Sequence, residues 1–175
     1  FFYKIKMKIF LTGASGFIGK NFIKFALKKG HFIFATTRNK SKKINHKRLK
    51  WLFGDFDKNW QIELKESDIL VHLAAGGVNK LNIKNDIYEV NIFKSLNLLQ
   101  NAFKAGCKKW LIISTSSEYG KNLKNKKNEF DIRVNRIPDT DYGMSKAIFS
   151  DQCENFAKKY KCQARIMRIF PIFGK

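Results

Sequence analysis

The sequence predicts an α/β fold, a doubly wound parallel sheet with helices on both faces. Short apolar runs alternate with segments whose apolar residues recur at helical spacing. Those runs are apolar enough to be buried from both sides, as parallel strands between helix layers are. The first run enters its helix through a glycine-rich turn, the connection such sheets place at their first strand. The chain has 175 residues, 44% of them hydrophobic, enough for one packed core. That composition excludes disordered and collagen-like chains.

Lys8–Thr12 is the first apolar run, and helical spacing follows over Phe17–Lys29 with Gly30 as the C-terminal stop. His31–Thr36 and Leu49–Phe53 read as the second and third strands and Ile69–Ala74 as the fourth. Asp86–Ala105 is a long amphipathic helix and Trp110–Thr115 a fifth strand that ends in hydroxyl residues. After a polar stretch from Gly120 to Asp141, a helix is expected over Tyr142–Tyr160 and a sixth strand over Ala164–Phe170. The roughly 20 residues between Gly120 and Asp141 form the one long irregular connection, and loops of that length are usually functional. It is the candidate substrate-facing segment.

Lys and Arg total 35 against 14 Asp and Glu, a net charge of +21. Such a chain attracts anions: phosphates, nucleic acid or acidic membranes. The lysines are spread along the whole chain, which fits a solvated surface better than one dedicated patch. Three cysteines, Cys107, Cys153 and Cys162, form no C-x-x-C pair, so neither a disulfide framework nor a zinc site is expected, and a reducing cytoplasm is the natural setting. The opening segment Phe1–Phe10 is broken by Lys4, Lys6 and Lys8 and reads as neither signal peptide nor membrane span. His31, His46 and His72 are scattered, and no metal is expected.

The turn Thr12-Gly13-Ala14-Ser15-Gly16-Phe17-Ile18-Gly19 lies between strand and helix, where a dinucleotide's pyrophosphate binds. Gly13 permits the sharp exit from the strand, Gly16 lets the backbone approach the phosphates, and Gly19 lets helix and sheet close together. With Ser15, Phe17 and Ile18 they are the cofactor candidates at the helix N-terminus. The sheet is therefore expected to be Rossmann-type. Thr36-Thr37-Arg38 stands where an NAD-specific site places an acid after the second strand. Without that acid, and with an Arg to fork onto a 2′-phosphate, NADP is preferred over NAD. Tyr142 and Lys146, four apart on a helix, emerge on one face, where an ammonium would favour the phenolate of a tyrosine base.

The T-G-x-x-G-x-x-G spacing resembles that of the extended short-chain dehydrogenase/reductase family, the NAD(P)-dependent sugar epimerases and dehydratases. Val71-His72-Leu73-Ala74-Ala75, Ser114-Thr115 with Tyr119-Gly120, and Tyr142-Gly143-Met144-Ser145-Lys146 resemble its later signatures in order. The resemblance implies an enzyme that moves a hydride at a carbon of a nucleotide-activated sugar, with Tyr142 as general acid/base. It assigns the reacting oxygen to Thr115, with Ser116 as the neighbouring alternative, and the nicotinamide ribose to Lys146. Leu73, Ala74 and Ala75 are implied to line the cofactor, Asp55 to meet its adenine, and Asn91 to lie near the active site. Ser116-Ser117 stands where the family's 4,6-dehydratases carry Asp-Glu, which favours a 4-epimerase or keto-sugar reductase, with Glu118 a partial substitute. The family's dimer face implies a homodimer along Asp86–Ala105 and Tyr142–Tyr160.

By the same resemblance, residues 1–175 are expected to form the cofactor-binding domain, with the family's C-terminal substrate domain lacking; Met7, just before the first strand, suggests that residues 1–7 are an additional leader. Pro171 and Phe173 replace the family's usual Asn and Tyr. Two other classes compete: a nucleic-acid binder on the same fold, motivated by the charge, and an NADP-binding redox sensor without turnover. The intact Thr115, Tyr142 and Lys146 set argues against the nucleic-acid binder.

Overall fold

The structure, a computed structural model, describes residues 6–39, 44–77, 87–121 and 136–172. Residues 1–5, Asp86, most of the Gly120–Asp141 connection and Phe173 lie outside those stretches. Six strands, β1 (Lys8–Thr12), β2 (Phe32–Thr37), β3 (Leu49–Phe53), β4 (Ile69–His72), β5 (Lys109–Thr115) and β6 (Gln163–Ile169), form one sheet in the order β3-β2-β1-β4-β5-β6. Every pairing is parallel. The order reverses between β1 and β4, and ligands of such sheets bind in the crevice outside the carboxyl ends of the strands at that point.

Alternation along each strand divides the core. Ile9, Leu11, Ile33, Ala35 and Val71 pack with Ile23, Ala26 and Leu27 of α1 (Phe17–Lys28). Phe10, Phe34, Leu70, Trp110 and Ile112 pack on the opposite face. There they meet Leu98, Leu99 and Ala102 of α3 (Ser95–Lys104) and Phe149, Cys153 and Ala157 of α4 (Asp141–Lys159). Cross-strand neighbours on a pleated sheet thus present one row to each helix layer.

Three local elements were absent from the sequence reading. The five-residue α2 (Gln61–Lys65) is too short for a helical period to register. The long helix does not begin regularly, because Glu89–Lys94 forms a π-helical turn before α3. Ser116–Glu118 is a 3₁₀ turn whose start is capped by Thr115, the side chain accepting the Ser117 N–H. Strand and helix ends otherwise move by a residue or two, as with β4, which stops at His72 rather than Ala74. Among the described residues no helix is long and apolar enough to cross a membrane.

Candidate active site

Each strand that ends at the sheet reversal delivers a piece of the site. At the end of β1, Gly13 adopts φ +68°, a left-handed conformation that only glycine enters without strain. A Cβ there would lie 2.7 Å from the Ala74 nitrogen and the Leu73 carbonyl carbon, so the turn lies directly on the chain leaving β4. The Thr12 hydroxyl joins the same two segments by accepting the Ala74 N–H at 3.2 Å. The chain over Leu73 and Ala74 therefore lies against the glycine turn at the sheet reversal.

Gly16 behaves differently. A Cβ on it would meet only the Gly13 carbonyl oxygen, at 3.4 Å, and Ser15, Gly16 and Phe17 are all exposed. Gly16 caps α1 without a side-chain hydrogen bond, and the first turn carries no acid. The free N–H groups of a helix start, with no side chain in front of them and no carboxylate to repel an anion, fit a dinucleotide pyrophosphate. Ile18 is half-buried and Gly19 is buried against the turn.

The ends of β2 and β3 bring Arg38 and Asp55 together. Arg38 Nε lies 3.7 Å from Asp55 Oδ1, with the Arg38 side chain 82% exposed. Lys94 Nζ holds the other carboxylate oxygen at 3.0 Å, and that contact raises the Lys94 pKa. Asp55 is thus placed between two cations, which sequence spacing does not reveal.

A buried chain of hydrogen bonds runs beneath the site. Thr12 Oγ1 and His72 Nδ1 are 2.7 Å apart, His72 Nε2 is 3.0 Å from Ser95 Oγ, and Ser95 donates to the Val90 carbonyl. One protonation pattern satisfies every link: Thr12 donates to Nδ1, and the Nε2 proton goes to Ser95. Burial, with the Lys146 charge second, lowers the His72 pKa to about 3 and keeps the ring neutral. Among the described residues no group of His, Cys, Asp and Glu could hold a metal ion.

The π-helical turn bears Asn91, which is 1% exposed. Its Oδ1 accepts the Gly76 N–H at 2.7 Å, and its Nδ2 donates to the Gly76 carbonyl and to Ser145 Oγ. Asn91 therefore ties the chain after β4 to α4. The resemblance put it near the site; the structure gives its amide these protein partners.

Gly143 positions the start of α4, because a Cβ there would run into the Ser117 backbone of the 3₁₀ turn. That close approach sets Tyr142 in the first turn of α4 beside the end of β5, where Thr115 stands half-buried. Lys146, one turn on, is 2% exposed and donates to the Ile113 carbonyl at 2.9 Å. Burial lowers its pKa to about 8, against the upward pull of Glu118 and Cys153. Tyr142 is shifted upward, by burial first and by Glu118 second. At Tyr142 burial and Glu118 thus outweigh the neighbouring ammonium, which donates to the β5 backbone.

Glu118, suggested by sequence as a stand-in for elimination carboxylates, is fully buried and accepts hydrogen bonds on both oxygens, from Ser114, Ser150 and Arg168. It has no face to offer a substrate. Sequence reasoning also missed Ser95, Arg136 and Arg168, and it gave no role to Thr12 and Ser145, which stand inside the quoted motifs. The available signal was polar residues set in apolar surroundings.

The profile of the NAD dependent epimerase/dehydratase family matches residues 9–175. The UDP-glucose 4-epimerase of Vibrio cholerae is 28% identical over 98% of this chain and 53% of its own length. A probable UDP-glucuronate 4-epimerase of Rhizobium meliloti is 27% identical over 96% of this chain and 54% of its own. The chain spans about half the length of these curated relatives. Among solved structures, a UDP-N-acetylglucosamine 4-epimerase of Methanobrevibacter ruminantium M1 shares the fold with a TM-score of 0.85 at 24% identity, covering 97% of this chain and 56% of that one. A Thermus thermophilus UDP-glucose 4-epimerase, solved with NAD, gives 0.77 at 22% identity, covering 93% and 54%.

Proposed function

The chain belongs to the NAD dependent epimerase/dehydratase family, and from that premise we propose that it binds a nicotinamide dinucleotide and serves hydride transfer on a nucleotide-activated sugar. The observation that carries the reading is the common address of its parts. The uncapped start of α1, the Leu73–Ala75 segment, Thr115, Tyr142 and Lys146 all lie at the carboxyl ends of the strands beside the β1/β4 reversal. The relatives named as UDP-sugar 4-epimerases support the substrate class, and Ser116-Ser117 favours 4-epimerase or keto-sugar reductase chemistry over 4,6-dehydration.

Gly13, Ser15, Gly16, Phe17, Ile18 and Gly19 would hold the pyrophosphate through the helix start, and Asp55 would meet the adenine end. Bound there, the dinucleotide supplies a hydride acceptor and donor. Thr115 orients the reacting sugar oxygen by a hydrogen bond. Tyr142, its proton retained at rest, donates to that oxygen in one direction and accepts from it in the other. Lys146 would hold the nicotinamide ribose. A homodimer along the helical face is supported by the exposed Phe93, Met144 and Ile148.

Arg38 carries the finer proposal of NADP over NAD: its exposed guanidinium can turn from Asp55 to a 2′-phosphate. The test is a fluorescence titration of NADPH and NADH into the chain, at low and high salt and with Arg38→Ala. Saturable binding that favours NADPH, and loses that preference in Arg38→Ala, is expected. Equal affinity before and after the substitution removes the NADP proposal, and no saturation by a folded sample removes the cofactor reading.

A further inference from the structure

Behind Tyr142 and Lys146 lies a charged cluster for which the proposed reaction has no use. Glu118 is fully buried, with Oε1 accepting from Ser114 and, at 2.5 Å, from Ser150. Its Oε2 accepts from Arg168 Nε at 2.7 Å and lies 3.8 Å from Arg136 Nη1. Arg136 pairs with Asp151 and donates to the Ala147 carbonyl, while Arg168 Nη2 is 3.6 Å from Glu154. The side chains of Arg136 and Arg168 are only 11% and 4% exposed. With Lys146 the described groups form three cations facing three carboxylates. A carboxylate withdrawn from water to this extent is a poor way to add stability, since apolar packing of the same volume does as well or better.

We propose that Glu118 is a positioning residue of this site: clamped by Ser114, Ser150, Arg168 and Arg136, its carboxylate is fixed between the β5 residue next to the Ile113 carbonyl that holds Lys146 and the α4 turn that follows Lys146, where it serves as the counter-charge of the Tyr142 and Lys146 pair. The inference rests on the acid–base reading of Tyr142 and Lys146 for its use, but not for its physics. Glu118 raises both groups; for Lys146 it opposes burial, and for Tyr142 it adds to it. Among the described residues the other titratable neighbours are Cys153, which also raises Lys146, and His72, which is held neutral. Arginines do not give up a proton, so Arg136 and Arg168 cannot relieve a change in the cluster's charge. Lys146 and Tyr142 can.

Removing a negative charge favours the deprotonated form of every acid near it. Glu118→Gln keeps the shape and removes the charge, so both Tyr142 and Lys146 are expected to lose their protons at lower pH. A purely structural Glu118 would change stability and leave both midpoints in place. The phenolate of Tyr142 is followed by ultraviolet difference absorbance against Tyr142→Phe, and the Lys146 ammonium by NMR of ¹³Cε-labelled lysine, assigned with Lys146→Met. Both midpoints should move about one pH unit toward acid, the size expected from one close charge. Unmoved midpoints, or midpoints moved toward base, overturn the proposal.

Arg136→Gln takes away a cation of the same cluster and should move both midpoints toward base. If Glu118→Gln fails to fold, this variant decides: a basic displacement supports the proposal and none overturns it. The cofactor titration is a separate readout. Midpoints displaced as expected in a chain that binds neither NADH nor NADPH would keep this inference and remove the cofactor reading.

Discussion

Gly13 and Gly16 stand three residues apart in one turn, yet alanine should harm them in different ways. At Gly13 the left-handed φ of +68° costs a Cβ-bearing residue about 1–2 kcal/mol. The added carbon also meets backbone atoms of Leu73 and Ala74 at 2.7 Å, and backbone yields little. Such overpacking adds about 1–3 kcal/mol. Gly13→Ala should therefore destabilise by about 2–5 kcal/mol, lowering Tm by roughly 10 °C in a chain of this size. At Gly16, φ −74° and ψ 174° suit any residue, and the new methyl meets one carbonyl at 3.4 Å. Losing unfolded-chain entropy offsets the poorer helix cap, so stability should stay within about 0.5 kcal/mol.

The methyl at residue 16 would instead occupy the side from which a pyrophosphate approaches, and displacement of that ligand should weaken NADH or NADPH binding about tenfold or more, equivalent to about 1.4 kcal/mol. Thermal melts by circular dichroism and the cofactor fluorescence titration read the two effects separately. Equal destabilisation by both variants would refute the assignment of distinct roles. Cofactor affinity unchanged in Gly16→Ala would refute the placement of the phosphates.

Three further outcomes are expected. His72 has a folded pKa depressed from 6.5 to about 3, so its stabilisation is complete above about pH 6.5 and declines as pH falls from there toward 3. The slope should approach about 1.4 kcal/mol per pH unit in that window, measured by urea unfolding across pH, and His72→Gln should flatten it. Asn91→Ala strands the Gly76 N–H and removes the tie to Ser145, and should cost about 2–3 kcal/mol with faster amide exchange at Gly76. Unchanged exchange there would count against the tie. Lys161 closes α4 at φ +53° where α1 has Gly30 at φ +87°, so Lys161→Gly should stabilise by about 1 kcal/mol, read as a rise in Tm.

Features written locally were legible. The glycine turn, the strand–helix alternation and the Tyr142–Lys146 spacing each occupy a few adjacent residues, and their geometry follows from backbone sterics and the helical period. Gly30 was readable as a helix stop for the same reason. What escaped was either too short for a period, as in α2, or caused by distant partners. The π-helical turn belongs to the second kind: Asn91 and Ser95 within and after it bond to Gly76 and His72, 15 and 23 residues away.

By itself the sequence determined the order of elements, the reversal-point fold they imply and the residues gathered at the strand ends. Hydrophobic period and turn chemistry leave few alternatives there. Tertiary structure alone decided the surroundings that tune how those residues hold their protons. Whether Lys146 meets a phenol or a carbonyl depends on how closely Gly143 lets α4 approach β5. Whether Glu118 faces solvent or the Arg168 guanidinium depends on β6 arriving 50 residues later. Proton affinity is set by burial and by charges brought close in space, and neither is a property of neighbours along the chain.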